Sequence, residues 1–264
     1  MNTSIKIVSW NVNGIRAAVR KNIMDWVNED NPDIICFQET RADESQMPSQ
    51  IMNANSYRKY FSNHEFKKGY SGTALLSKRE PENISRGIGI KEFDSEGRFV
   101  IARYDKFTLF NVYFPNGKSS PERLDYKLSF YEAFLEYIEK LRSRGRPIIF
   151  TGDLNTAHKE IDLARPRQNS HISGFLPVER RWIDKVIEKG YIDTFRIFNK
   201  EPGNYTWWSM RSRARERNVG WRLDYFFVSP DLKPYVKNSE IYPRVKGSDH
   251  CPVALTLDFS QNSS

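Results

Sequence analysis

The 264-residue sequence predicts an α/β protein in which mixed β-sheets pack face to face and carry helices on their outer sides. Three observations predict it. Short β-rich runs recur along the chain (IKIVSW, DIICF, TALLS, RFVIARY, FTLFNVYF, PIIF, DYFFV and VALTL), too many for a small α/β domain. Helical stretches separate some of these runs while others follow one another directly, which calls for mixed sheets. No proline-, glycine- or serine-rich linker divides the chain, so residues 1–259 read as one domain, of a size that buries about three quarters of its unfolded surface.

Taken in order, IKIVSW leads to Asn11 and Asn13, and a short helix is expected from Arg16 to Glu29. DIICF ends on Gln38 and Glu39. After TALLS and RFVIARY, the run FTLFNVYF ends on Tyr113 and Asn116. The clearest helix spans Pro121 to Arg144, where Leu124, Leu128, Tyr131, Leu135, Ile138 and Leu141 recur at three- and four-residue spacing. Ser119 or Ser120 can cap it, and Gly145 followed by Pro147 ends it. PIIF comes next. Gly152 is expected to break that strand, leaving Asp153 and Asn155 where a buried strand meets a loop. A helix from Val178 to Lys189 precedes DYFFV, which Asp224 begins, and Asp249-His250 precedes VALTL. IVSWNVNG and IIFTGDLNT echo each other as apolar strands ending in polar residues two apart, too short an echo to establish a duplication. The closing SQNSS, residues 260–264, reads as a disordered tail.

Lysine plus arginine number 41 against 33 acidic residues, a formal charge of +8 that favours a polyanionic partner. Two cysteines, Cys36 and Cys251, cannot build a disulfide framework, and a reducing compartment is expected. No leader-like segment opens the sequence and no apolar run approaches the ~20 residues that span a bilayer. The expectation is a protein of the cytoplasm (nucleoid-associated) or nucleus, neither secreted nor membrane-bound, whose N-x-S/T matches at Asn2, Asn83, Asn204 and Asn262 occur by chance.

The strand ends carry the chemistry. If they meet at one edge of a sandwich, Glu39, Asp153 and Asp249 share a pocket. Two carboxylates about 4 Å apart repel by roughly 4 kcal/mol at an effective dielectric near 20, so the cluster must protonate or bind a cation. With the amides of Asn11 and Asn155, this oxygen set suits Mg²⁺ or Mn²⁺ rather than zinc. A backbone turn accounts for any one of these residues alone; the set together, with a histidine in it, points to chemistry. His158-x-Glu160 has the spacing of a zinc deaminase motif, but no P-C-x-x-C follows, and no H-E-x-x-H or phosphate-binding glycine loop occurs. Cys251, beside His250, reads as a buried structural thiol. The stretch YTWWSMRSRARERNVGWRLDYFF interleaves aromatics with Arg211, Arg213, Arg215, Arg217 and Arg222, residue types that bind phosphates and stack on sugars and bases.

In order along nearly the whole chain, SWNVNGIRA, ICFQET, KKGYSG, EGRF, VYFPNG, RLDYK, GDLNTAHKEIDLA, GFLPVER, NVGWRLDYF and GSDHCP resemble the successive motifs of exonuclease III-type apurinic/apyrimidinic (AP) endonucleases. The resemblance implies a four-layer α/β/β/α sandwich of two packed mixed β-sheets. It also implies Mg²⁺-dependent cleavage, with Mn²⁺ able to substitute, on the 5′ side of abasic sites in double-stranded DNA. A 3′-hydroxyl is left, with 3′–5′ exonuclease and 3′-end repair as further activities of a monomer. Asn11 and Glu39 match the metal-binding motifs, Glu39 being the principal ligand, and Asp153, Asn155, Asp249 and His250 complete the expected metal set. Asp153 and Asn155 match the residues that position and deprotonate the attacking water, His250 the histidine on the scissile phosphate, and Asp224 its carboxylate partner. Tyr113 and Asn116 match phosphate contacts, and Asp249 matches the acid beside metal and leaving group. Trp207, Trp221 and Leu223 match the pocket for the baseless sugar, and Arg211 matches a position that probes the duplex. Asn13 stands where some relatives carry aspartate, which argues against a second metal there. Two alternatives stay open: a superfamily enzyme acting on phospholipid or inositol phosphates, and a DNA-binding relative without catalysis.

Overall fold

Runs that are apolar at successive positions belong to strands covered on both faces, and the central strands found here are of that kind. The computed structural model describes residues 3–260. Its strands are β1 (Ser4–Asn11), β2 (Ile34–Gln38), β3 (Arg58–Ser62), β4 (Thr73–Ser77), β5 (Asn83–Ser85), β6 (Phe99–Arg103), β7 (Thr108–Tyr113), β8 (Ile148–Asp153), β9 (Ile192–Asp193), β10 (Trp207–Trp208), β11 (Gly220–Trp221), β12 (Asp224–Val228), β13 (Val236–Ile241) and β14 (Val253–Asp258). Two six-stranded sheets result, ordered β13-β14-β1-β2-β4-β3 and β5-β6-β7-β8-β12-β9, with β10 and β11 a separate ribbon. Each six-stranded sheet has one parallel pair at its centre, β1 with β2 and β7 with β8, and is antiparallel elsewhere.

The side-chain alternation of each strand separates three apolar layers. Ile5, Ile7, Cys36, Leu75 and Leu255 of the first sheet meet Val100, Leu109, Ile149 and Phe226 of the second. On the outer face of the first sheet, Trp10, Ile35, Phe37 and Leu76 pack against helical residues such as Ile15, Val19, Ile23 and Val27. On the outer face of the second, Phe99, Phe110, Phe150 and Phe227 pack against Phe130, Phe134, Trp182 and Ile183. The order is helix, sheet, sheet, helix, as expected.

The long helix runs Pro121–Arg142, capped by Ser120, whose hydroxyl accepts from Arg123 N. Its buried face includes Phe130, Phe134 and, against expectation, Lys127. The expected helix over 16–29 is two, Ile15–Val19 and Ile23–Asp30, because Asn22 adopts a left-handed backbone (φ 63°) between them. The expected Val178–Lys189 helix is Pro177–Glu188. Of the tail, residues 261–264 lie outside the described residues, as do Asn2 and Asn262. No helix among the described residues is long and apolar enough to cross a membrane.

Candidate active site

β1 and β8 lie centrally in facing sheets, and their C-terminal ends meet: Asn11 Nδ2 donates to Asp153 Oδ2 (2.9 Å) and to Glu39 Oε2 (3.0 Å). Gly152 does not break β8, which runs through it to Asp153. It is glycine for another reason. Its φ is +139°, and a Cβ there would stand 1.9 Å from the Val112 carbonyl oxygen of the neighbouring parallel strand. Glu39 (φ 55°) and Asn155 (φ 52°) turn the chain sharply just past β2 and β8, which aims both side chains back into the cleft instead of along their strands.

Asp153 is buried, with Oδ1 accepting from Asn155 N (2.8 Å) and Oδ2 also accepting from Asn155 Nδ2 (3.1 Å). His250 Nε2 stands 3.8 Å from Asp153 Oδ2, and His250 Nδ1 lies 2.8 Å from Asp224 Oδ2. Burial alone would push the imidazole pKa down, but Asp224, then Asp153 and Asp249, carry it up to about 10. For Asp153 burial dominates and outweighs His250, raising the carboxyl to about 7. The site thus pairs an imidazolium with a carboxyl whose proton affinity is near neutral, the property a general base needs. Asp249 is fixed through both oxygens: Oδ1 accepts from Asn13 Nδ2 (2.9 Å) and Ser248 Oγ (3.1 Å), and Oδ2 accepts from Trp207 Nε1 (3.0 Å). Burial opposes its ionisation, yet His250 and these donors hold its pKa below the usual value. Burial keeps the Tyr113 phenol far above its ordinary pKa, and Arg98 lies 4.9 Å from its ring centroid.

The donor set fits a hard divalent ion. Glu39, Asp153 and Asp249 open into one cleft, and the nitrogen His250 Nδ1 is already bonded to Asp224. The closest group of ligand-type atoms among the described residues, from Asp153, Asp224 and His250, falls within 4.8 Å. The amide oxygens of the two asparagines face elsewhere: Asn11 Oδ1 accepts from Asn13 N and Asn155 Oδ1 from Asn116 Nδ2. In this structure both asparagines orient the carboxylates by donating to them.

Beside the carboxylates the cleft, about 240 Å³ in volume, is walled by Trp207, Trp221 and Leu223. That is below the roughly 300–1,000 Å³ of pockets for drug-sized ligands, so a sugar suits it better than a nucleoside. Trp221 packs on Gly174 (φ +102°), where a Cβ would meet its ring at 3.2 Å and the Asn155 carbonyl at 3.3 Å. All the expected residues line the cleft except Asn11, beneath it, Asp224, behind His250, and Arg211, exposed outside it.

The arginine-rich loop is corrected in part. Arg211, Arg213 and Arg217 are exposed, but Arg222 is buried, donating through Nε to Asp162 (2.7 Å) and through Nη2 to Asp193 (2.6 Å). Arg215 bonds the carbonyls of Ser248, Pro243 and Val245. Both hold the loop, and Arg222, being buried, cannot face DNA. Cys251 is buried with its thiol pKa raised by desolvation, as a structural residue should be.

Sequence reasoning missed several groups. Arg41, on Glu39 Oε1, and Lys118 both line the cleft. Behind Asn155, the fully buried Lys127 donates to Asn155 O (2.8 Å), Thr156 Oγ1 (2.8 Å) and Glu179 Oε1 (2.6 Å). Its place in RLDYK, four residues before the buried Tyr131 at helical spacing, was the one available signal.

Residues 8–250 match the model of the Endonuclease/Exonuclease/phosphatase family. The chain is 43% identical over 257 residues to an exodeoxyribonuclease of Bacillus subtilis, covering 97% of this chain and 100% of that protein. It is 44% identical over 256 residues to the DNA repair nuclease APEX1 of Danio rerio, covering 96% and 82%. Its fold matches that of an AP endonuclease from Archaeoglobus fulgidus with a TM-score of 0.87 at 30% identity, covering 96% and 99%. It also matches the 3′ phosphatase NExo from Neisseria bound to a product DNA hairpin, with a TM-score of 0.88 at 27% identity, covering 97% and 100%.

Proposed function

The chain belongs to the Endonuclease/Exonuclease/phosphatase family, and from that premise we propose that it is a DNA-repair nuclease that hydrolyses the backbone on the 5′ side of abasic sites and leaves a 3′-hydroxyl. We propose 3′–5′ exonuclease and 3′-end repair as further activities of the same centre. One observation carries the reading: the Asp153–His250 pair, 3.8 Å apart, shares a largely polar cleft with an apolar wall of Trp207, Trp221 and Leu223. The names of the exodeoxyribonuclease, DNA repair and 3′ phosphatase relatives support it.

In this scheme Asp153 takes the proton of the attacking water, and Asn155 and Asn11 fix its oxygens. His250, cationic and oriented by Asp224, meets the charge that grows on a non-bridging phosphate oxygen in the transition state. Tyr113 keeps its proton and, with the Asn116 amide, donates a hydrogen bond to the phosphate. Asp249, held rigid by Trp207 and Asn13, stands on the leaving-group side. Glu39, with Asp153 and Asp249 beside it, would hold Mg²⁺ or Mn²⁺, which supplies Lewis-acid neutralisation of phosphate charge. Arg211, Arg213 and Arg217 lie on the exposed loop for a duplex backbone, in keeping with the charge of +8. We place the protein as a monomer on double-stranded DNA, in the cytoplasm with the nucleoid or in the nucleus.

The test is incision of a duplex carrying one abasic analogue, with Mg²⁺ and with EDTA, beside phosphate release from inositol phosphates. Magnesium-dependent nicking 5′ to the lesion is expected. Release from inositol phosphates without nicking would favour the other superfamily chemistry, and DNA binding without incision would leave a non-catalytic relative.

A further inference from the structure

Lys118 lies in the PNGKSS loop between β7 and the helix Pro121–Arg142. Its backbone N–H donates to Asn116 Oδ1 (2.9 Å), which turns the side chain back over the cleft. The ammonium sits 5.4 Å from the ring centroid of Trp207 and 5.3 Å from that of Trp221, the two rings standing nearly perpendicular at 82°. It makes no hydrogen bond or ion pair among the described residues, and the side chain is open to solvent at the mouth of the cleft. The walls around it lower its pKa, with Glu179 and Asp153 offsetting part of that effect. Lys127 is the contrast: directly behind Asn155, it is wholly buried and bonded to three acceptors, so no substrate atom can reach it.

An unpaired amine at the wall of a pocket shaped for a baseless sugar is placed to react with that sugar. We propose that Lys118 forms an imine with the ring-opened abasic deoxyribose and gives the site a metal-independent AP-lyase activity beside hydrolysis; this rests on the abasic-site reading above. A cleft carboxylate takes one proton from the ammonium, the freed Nζ lone pair adds to the C1′ aldehyde carbon, and the carbinolamine takes that proton back on its hydroxyl and loses water to leave a protonated imine. A cleft carboxylate takes a C2′ proton. The freed electron pair forms the C2′–C3′ double bond as the C3′–O bond breaks, and the phosphate departs with that bond's electrons. Water then hydrolyses the imine, restoring Lys118 and releasing the unsaturated aldehyde.

The experiment uses the full chain in excess EDTA, a duplex carrying a natural abasic aldehyde, and sodium cyanoborohydride to reduce the imine to a stable amine. A one-to-one protein–DNA adduct mapping to Lys118 is expected, together with EDTA-resistant cleavage leaving an unsaturated 3′ end. Lys118→Ala and Lys118→Arg should lower both by at least about tenfold, since the arginine keeps the charge but not the nucleophile. A tetrahydrofuran site, which has no aldehyde, should give no adduct. An adduct retained in Lys118→Arg, one mapping to another lysine, or none in the wild type overturns the proposal. Magnesium-dependent nicking of the tetrahydrofuran duplex separates the two readings. Nicking without an adduct removes the role of Lys118 alone; loss of both removes the abasic-site reading as well.

Discussion

Replacing Asp224 by asparagine keeps the shape of the side chain but removes the charge from its 2.8 Å contact with His250 Nδ1. In the native protein the surrounding carboxylates outweigh burial and lift the imidazole from 6.5 to about 10. At 1.36 kcal/mol per pKa unit, that excess is roughly 5 kcal/mol. Asp224 is the largest of the raising influences, so Asp224→Asn removes the strongest opposition to burial and the ring should titrate well below its native value. The sign follows directly. The native ring is cationic across pH 6.5–10 and stabilises the fold below the lower value, a contribution lost as pH rises through the upper one. The variant should give up that charge at a lower pH than the native ring, so a smaller share of its rings is protonated at pH 8. An NMR titration of the His250 ring in metal-free protein from pH 5 to 10 reads this out, with nicking rates at pH 6 and pH 8 beside it. The variant should nick at least about tenfold less well at pH 8 than at pH 6, relative to wild type. A variant ring that still titrates above about pH 9, or a pH profile unchanged from wild type, would refute the reasoning.

Asp153→Asn should abolish turnover by at least roughly 10²-fold and yet raise the Tm of the metal-free protein at pH 8. Burial lifts the Asp153 carboxyl from 3.8 to about 7. Its ionisation therefore subtracts stability as pH rises through that window, by about 1–4 kcal/mol at the upper end, and a lower Tm in EDTA would contradict this. Gly152→Ala should cost at least about 3 kcal/mol in chemical denaturation or prevent folding, because its Cβ would stand 1.9 Å from Val112 O at a φ of +139°; a loss under about 1 kcal/mol would show that β7 and β8 can separate there. Trp221→Ala should bring the ratio of incision at abasic and undamaged sites toward one, measured at a single salt concentration, by opening the wall against which a sugar with its base would clash. An unchanged ratio would move the discrimination to Arg211 and its loop.

All eight apolar runs are strands, and every strand that forms an outer edge went unread: β3 and β13 in one sheet, β5 and β9 in the other. Edge strands are half exposed, so VKNSEI and NIS carry polar residues where central strands carry valine and isoleucine. The strand-end residues were legible because Asp, Asn and His after an apolar run stand out against it, and the motif resemblance fixed their order. The split at Asn22 carried no glycine or proline to mark it. Arg222 could not be told from its neighbours by composition, since its partners Asp162 and Asp193 are distant in sequence and reach it only through the fold. Lys127 was hidden the same way, its charge buried among three acceptors that two separate segments supply.

β14 pairs antiparallel with β1, Ser4 opposite Asp258, and Asp249 and His250 lie just upstream of it. Until that last strand arrives, β1 has one bare edge and the cleft lacks its imidazole. A ribosome adding about 5–20 residues per second needs tens of seconds to go from the first strand to the last. During that interval the nascent protein holds Glu39 and then Asp153 but cannot cut. Synthesis itself therefore times the onset of nuclease activity, because His250 and the strand that seats it are made last.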